Sequence, residues 1–273
     1  MPTFTTSDGT EIHYTDWGAG KPVVLSHGWP LSSDAWAVES KLLADAGYRA
    51  IAHDRRGHGR STNTDRGHDM DTYARDLAEL IEHLDLTELV VIGHSTGGGE
   101  VVRYAAQHGQ GRVRKVVTAG GVPPIMVKSD MNPEGTPIEA FDGIRAGVLA
   151  DRSQFYKDLA VPFYGFNREG AAVSQGLIDD FQRQGMLAGL AAAYECVKVF
   201  SETDFTEDLK ALDVPILLAH GSDDQIVPIA AAAEKSIGLV ADGTLKVYKG
   251  APHGISGEYQ KALIADILAF IAN

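Results

Sequence analysis

With one cysteine in 273 residues, Cys196, the chain has no partner for an internal disulfide, which excludes a cross-linked secreted scaffold. Bases are also scarce. The 24 Lys and Arg face 37 Asp and Glu, and a net charge of -13 repels phosphate backbones and anionic lipid, so neither nucleic acid nor a membrane is an expected partner. Although 44% of residues are hydrophobic, 22% are charged, and there is no apolar excess of the kind a membrane span needs. The opening MPTFTTSDGTEIHY lacks the basic and apolar regions of a secretory signal, so a cytoplasmic location is expected. Neither H-E-x-x-H nor a cysteine pair is present, and no metal or organic cofactor is expected. Internal repeats and low-complexity tracts are lacking too.

What is there is material for one α/β core with an insertion. Residues 2–16 read as a hairpin, with Phe4, Ile12 and Tyr14 alternating around the turn Ser7-Asp8-Gly9. Short apolar or β-branched runs follow at 22–26, 48–53, 89–92, 113–118, 215–219 and 244–248. Segments of helical period lie between most of them, at 35–46, 71–84, 98–108, 229–240 and 257–271. Such alternation predicts a mostly parallel eight-stranded sheet with helices on both faces. It lapses between residues 122 and 213, a stretch rich in aromatics that begins Val122-Pro123-Pro124. The expected organisation is a core of residues 1–121 and 214–273 with a helical cap, 122–213, over the carboxyl edge of the sheet, where ligands of open α/β sheets bind.

"LVVIGHSTGGGEVVRYAA" joins a strand to a helix through Gly93-His94-Ser95-Thr96-Gly97. G-x-S-x-G alone is weak, but a strand before it and a helix after it are what a nucleophile elbow requires. A glycine-rich turn without chemistry is the plain alternative. A phosphate loop is disfavoured, because no G-x-G-x-x-G fits and no Lys-Ser/Thr follows. A serine nucleophile needs an imidazole to take its proton and a carboxylate to orient that imidazole. Only His253 of the ten histidines lies in a late loop, "YKGAPHGISGEY", straight after the last strand. "ILLAHGSDDQIVP" supplies the acid: Asp223 and Asp224 both qualify by position, with Asp224 the expected orienter and Asp223 a loop or capping partner. His27 and His220, at strand ends before glycine, are expected to bond loop backbone.

The chain leaves its third strand through His27-Gly28-Trp29-Pro30. Acyl transfer creates an oxyanion, and the N–H groups of Thr96 and Trp29 are the expected donors to it. Pro30 has no N–H to compete, and an aromatic-proline bond in a tight loop is a candidate for the cis form. Trp29, Pro30, Val122, Phe141, Phe163, Phe200, Ile226 and Val227 are the apolar candidates for a small acyl pocket.

Through "FTTSDGTEIHYTDWG", "SHGWPLSSDAW", "YRAIAHDRRGHGRS", "DMDTYARDLAELIEHLDL", "STGGGEVVRY", "FSETDFTEDL", "HGSDDQIVP" and "APHG", nearly the whole chain resembles the cofactor-free (non-heme) haloperoxidases or perhydrolases of the α/β-hydrolase fold, and the related aryl esterases. The resemblance implies Ser95, Asp224 and His253 as a triad, with the N–H groups of Trp29 and Thr96 as the oxyanion hole. Thr96 stands where relatives commonly have Met, and His94 where many have an aromatic residue. The implied chemistry is acyl transfer from a small ester or carboxylic acid to serine, then release by water or by hydrogen peroxide as a peracid that oxidises halide. A homo-oligomer, trimer or hexamer, is also implied. Dehalogenases and epoxide hydrolases of this fold carry Asp where this chain has Ser95. A lactamase or amidase with the same triad, or a noncatalytic ligand receptor of the same fold, are the alternative readings.

Overall fold

The computed structural model describes residues 2–272. Their strands are β1 (Thr3–Thr5), β2 (Glu11–Gly18), β3 (Pro22–Ser26), β4 (Arg49–His53), β5 (Leu89–His94), β6 (Val113–Ala119), β7 (Ile216–Gly221) and β8 (Gly243–Tyr248). The described residues form one eight-stranded sheet in the order β1-β2-β4-β3-β5-β6-β7-β8. Antiparallel pairing is confined to β1 with β2 and β2 with β4; the remaining pairs are parallel.

The period of two along each central strand explains why both faces need covering. Val24, Leu89, Val91, Ile216 and Leu218 enter one apolar layer, while Val23, Leu25, Val90, Ile92 and Leu217 enter the other. Helices α1 (Ala37–Asp45) and α9 (Gly257–Ala272) cover the second face; α2 (Met70–His83) and α3 (Thr96–Gln107) cover the first. Met70, Tyr73, Ala74, Leu77, Leu80 and Ile81 make the buried stripe of α2, and Asp69 caps its start by accepting from the Thr72 N–H at 2.8 Å.

Between β6 and β7 the alternation gives way to α4 (Ile138–Phe163), α5 (Gln175–Leu187), α6 (Leu190–Glu202) and α7 (Thr206–Ala211). Helix α4 leaves helical geometry at Asp151 (φ -152°, ψ 85°). Phe141, Tyr156, Phe163, Phe181 and Phe200 of this segment are buried in the apolar cluster that also holds the inward residues of α2 and α3.

Two expected helices take a different form. The stretch 35–46 begins as a 3-10 turn, Ser33–Trp36, before α1. The single helix expected over 229–240 is a 3-10 turn, Ile229–Ala231, and a short α8 (Ala233–Ser236), parted at Ala232 (φ -122°, ψ -97°). Ala231, Ala232 and Ala233 are all buried, so packing overrides alanine's helix propensity there.

Candidate active site

Ser95 stands between β5 and α3 with φ 55° and ψ -120°, a left-handed φ that a non-glycine residue adopts only under constraint. Neighbouring backbone explains the flanking glycines. A Cβ on Gly93 would lie 2.1 Å from the Gly97 carbonyl oxygen, and one on Gly97 would lie 2.2 Å from that of Ser26. The turn is held by the Ser95 N–H donating to Ala119 O (3.0 Å) and by Ser95 O accepting from the Gly98 (2.9 Å) and Val122 (3.2 Å) N–H groups.

His253 and Asp224 come from the loops after β8 and β7. The Nδ1 of His253 lies 2.7 Å from Asp224 Oδ2, with both side chains buried. Asp224 Oδ1 accepts from the Ile226 and Val227 N–H groups at 2.9 and 2.8 Å, so the carboxylate cannot turn away. Burial opposes its ionisation, but the facing His253 and the hydrogen bonds from His220 and His253 hold the carboxyl well below the usual carboxylate range. An ionised acceptor puts the proton of His253 on Nδ1 and leaves Nε2 as the basic atom. That Nε2 is buried and has no hydrogen-bond partner among the described residues.

Asp223 faces the other way, paired with Arg168 on a partly exposed surface. His220 donates through Nε2 to Val227 O (2.9 Å) and also lies 3.3 Å from Asp224 Oδ2. His94 is buried, and burial and His253 push its imidazole down to about 3. It is neutral, and its Nε2–H donates to the His253 carbonyl at 3.0 Å. The His94 and Phe163 rings each lie 4.8 Å from the His253 ring. His94 thereby bears on the loop that carries the imidazole.

A cavity of about 240 Å³ opens onto Ser95. Trp29, Thr96, Phe141, Phe163, Phe200, Ile226 and Val227 line it, as do Met126, Thr136, Ala140, Ile144, Leu159 and Gln225. Among the described residues neither the Trp29 nor the Thr96 N–H donates to a protein acceptor, leaving both for a ligand oxygen. The Trp29 indole is fixed by its own bond to Ala193 O (3.0 Å) and by the Phe200 ring at 5.5 Å.

Two expected pocket residues lie elsewhere. Pro30 points its ring at α5, where a Cβ on Gly185 would come within 3.1 Å of the proline Cγ, so it packs on that helix rather than lining the cavity. Val122 is buried in the core, and its contribution is the N–H that braces Ser95 O. The Trp29-Pro30 peptide bond is cis. Of the lining residues that sequence reasoning missed, Ala140 and Ile144 lie on one face of α4 at i and i+4, beside Phe141, so helical periodicity could have found them. Met126 and Thr136 meet through a loop braced by the Val127–Thr136 bridge, for which the sequence carries no local signal.

A strained strand-to-helix turn bearing serine, a late-loop histidine and its buried carboxylate, all at the carboxyl edge of a mostly parallel sheet, define a hydrolase-type site. The chain belongs to the family described as the alpha/beta hydrolase fold, which matches residues 21–258. Within that family it is 58% identical over 272 residues to a non-heme haloperoxidase of Rhodococcus erythropolis, covering 99% of each chain. It is 49% identical over 270 residues to a bifunctional esterase/perhydrolase of Acinetobacter calcoaceticus, covering 98% of each. Among solved structures it resembles a bromoperoxidase from Bacillus anthracis, with TM-score 0.93 and 36% identity over 97% of this chain and 96% of that one.

Proposed function

We propose that the protein is a serine-dependent acyl transferase that hydrolyses small aryl or short-chain esters and perhydrolyses esters or carboxylic acids with hydrogen peroxide. The observation that carries this reading is the Asp224–His253 pair, with its unpartnered Nε2, on a loop bonded to His94 of the elbow, together with a cavity lined by Ser95, Trp29 and Thr96. Ser95 Oγ attacks the acyl carbon while His253 Nε2 takes its proton, and the N–H groups of Trp29 and Thr96 receive the oxyanion. Each such donor is worth about 3 to 4 kcal/mol by analogy with characterised sites. Collapse of the intermediate expels the alcohol, protonated by His253, and leaves an acyl ester on Ser95.

Water then returns the carboxylic acid; hydrogen peroxide returns the peracid, with its second proton passing through His253 back to Ser95. The peracid oxidises halide away from the protein. No metal or organic cofactor enters these steps, because every proton and electron pair is carried by the triad, the substrate and peroxide. Residues 122–213 act as the cap that roofs the acyl pocket. The protein is expected to work in the cytoplasm as a homo-oligomer, a trimer or hexamer, and to bind neither nucleic acid nor membrane. No helix among the described residues is long and apolar enough to cross a membrane.

The test is Ser95→Ala, assayed for p-nitrophenyl acetate hydrolysis and for peracid formation from acetate and peroxide. Both activities pass through one acyl-enzyme and should fall together by about 10⁴ to 10⁶ in kcat. Peracid formation that survives in the pure variant would refute the shared intermediate.

A further inference from the structure

We infer that His27 is a positioning residue of the oxyanion hole, whose ring holds and polarises the Gly28–Trp29 peptide through the Gly28 carbonyl. The inference rests on the proposed use of the Trp29 N–H as an oxyanion donor.

His27 is fully buried, and each ring nitrogen has a partner. Nε2 lies 3.0 Å from the backbone nitrogen of Arg55, and Nδ1 lies 2.9 Å from the carbonyl oxygen of Gly28. A backbone N–H can only donate, so Nε2 carries the lone pair and Nδ1 carries the hydrogen. The tautomer is therefore set by the Arg55 peptide, and Nδ1–H donates to Gly28 O. Burial and the adjacent Arg55 guanidinium hold the imidazole well below its ordinary range, which keeps it in the neutral form this arrangement needs.

Gly28 C=O and Trp29 N–H are the two ends of one planar peptide group. A donor on the oxygen fixes the plane of that group and draws electron density from its nitrogen, strengthening the N–H as a donor. Hydrogen-bond chains of this kind gain roughly 10 to 30% per bond. The Leu31 N–H also donates to Gly28 O at 2.9 Å, so two donors converge on it.

The support extends to the nucleophile helix. Arg55 Nη2 donates to His27 O at 2.7 Å, and its Nε donates to Glu100 Oε2 at 2.6 Å. Glu100 lies in the second turn of α3, the helix that Ser95 precedes, and also accepts from Ser26 Oγ at 2.8 Å. Through His27, Arg55 and Glu100, the loop that presents one donor is tied to the helix that presents Ser95 and Thr96. A ring that merely filled space would need neither a defined tautomer nor this orientation.

The test compares His27→Gln with His27→Asn. The Gln amide reaches the position of Nε2 and can still accept from the Arg55 N–H, but it removes the donor to Gly28. The Asn amide nitrogen lies near the position of Nδ1 and restores that donor. With p-nitrophenyl acetate, His27→Gln should lose about 10- to 100-fold in kcat with KM within about threefold, less than outright loss of an oxyanion donor. His27→Asn should recover to within about fivefold of the parent. The Trp29 amide resonance of 15N-labelled protein should move downfield when phenylboronic acid forms its tetrahedral adduct on Ser95, and move less in His27→Gln. Equal losses in the two variants, or a parental kcat in folded His27→Gln, overturn the inference while leaving the oxyanion reading intact. A Trp29 resonance that ignores the adduct in the parent protein overturns that reading and the inference with it.

Discussion

Two adjacent aspartates after β7 have opposite fates. Asp224 is buried, with His253, Ile226 N–H and Val227 N–H on its two oxygens, whereas Asp223 reaches out to Arg168. Asp224→Asn puts an amide against His253 Nδ1 and favours the wrong tautomer. It should cost about 10⁴ in kcat, the size of effect known for such a change in another serine enzyme. Asp223→Asn removes a partly exposed ion pair worth about 0 to 1 kcal/mol and should leave kcat nearly unchanged. Parallel kcat measurements on the two variants check this, and the reverse ranking would reassign the acid. The geometry of Ser95 follows the same logic: its left-handed φ is held by bonds from Gly98 and Val122 to its carbonyl, so the strain is sustained by the surroundings.

At the scale of elements, β5, the elbow and α3 act as one piece, and the close passage of backbone at Gly97 sets its tolerance. Gly97→Ala drives a methyl group into Ser26 O and C, neither of which is a flexible side-chain end. Because Ser26 closes β3 just before the His27–Pro30 loop, we expect loss of activity together with destabilisation of several kcal/mol, read by urea unfolding. Gly143→Ala, on the open face of α4 with nothing within 4 Å of its Cβ, is the matched control. On the proposed reading, the helices between β6 and β7 limit the acyl group in a similar way. With Phe141, Phe163 and Phe200 around the cavity, acetate to butyrate esters should react faster than octanoate. Ile144→Ala, which removes part of the wall while leaving Ser95 untouched, should raise the octanoate-to-acetate ratio of kcat/KM. An unchanged ratio would place the acyl chain elsewhere.

Across the whole molecule, buried neutral histidines couple folding to pH. Burial pushes His58 and His94 down to about 3, and His27 is also held well below its ordinary value. In the unfolded chain each would titrate near 6.5. Their folded pKa values are depressed, so the unfolded state binds more protons below that pH. The stabilisation is fully present above about pH 6.5 and is lost as the pH falls towards 3. Each histidine adds a slope of up to about 1.4 kcal/mol per pH unit in that window. Urea midpoints should therefore drop between pH 7 and 5, and His58→Asn should flatten the drop by about one proton. A stability that is constant or rises on acidification through this window would contradict the assignment.

Local rules settled much of this protein from its sequence. Short apolar and β-branched runs gave the strands, and G-x-S-x-G between a strand and a helical segment gave the elbow, because these patterns depend on neighbours within a few residues. The resemblance along nearly the whole chain pointed to the family to which the chain belongs. Local rules failed where long-range packing decided the outcome. The alanine-rich 229–240 stretch breaks at Ala232 under burial, and Pro30 turns towards Gly185, 155 residues away in the chain, rather than into the cavity. Met126 and Thr136 joined the cavity through a loop with no periodicity to announce it. Backbone partners for His27 were expected from its place at a strand end, but its tautomer was not legible: Nε2 and Nδ1 are assigned by the Arg55 N–H and the Gly28 carbonyl, and only the folded sheet brings Arg55 back to a residue 28 positions earlier.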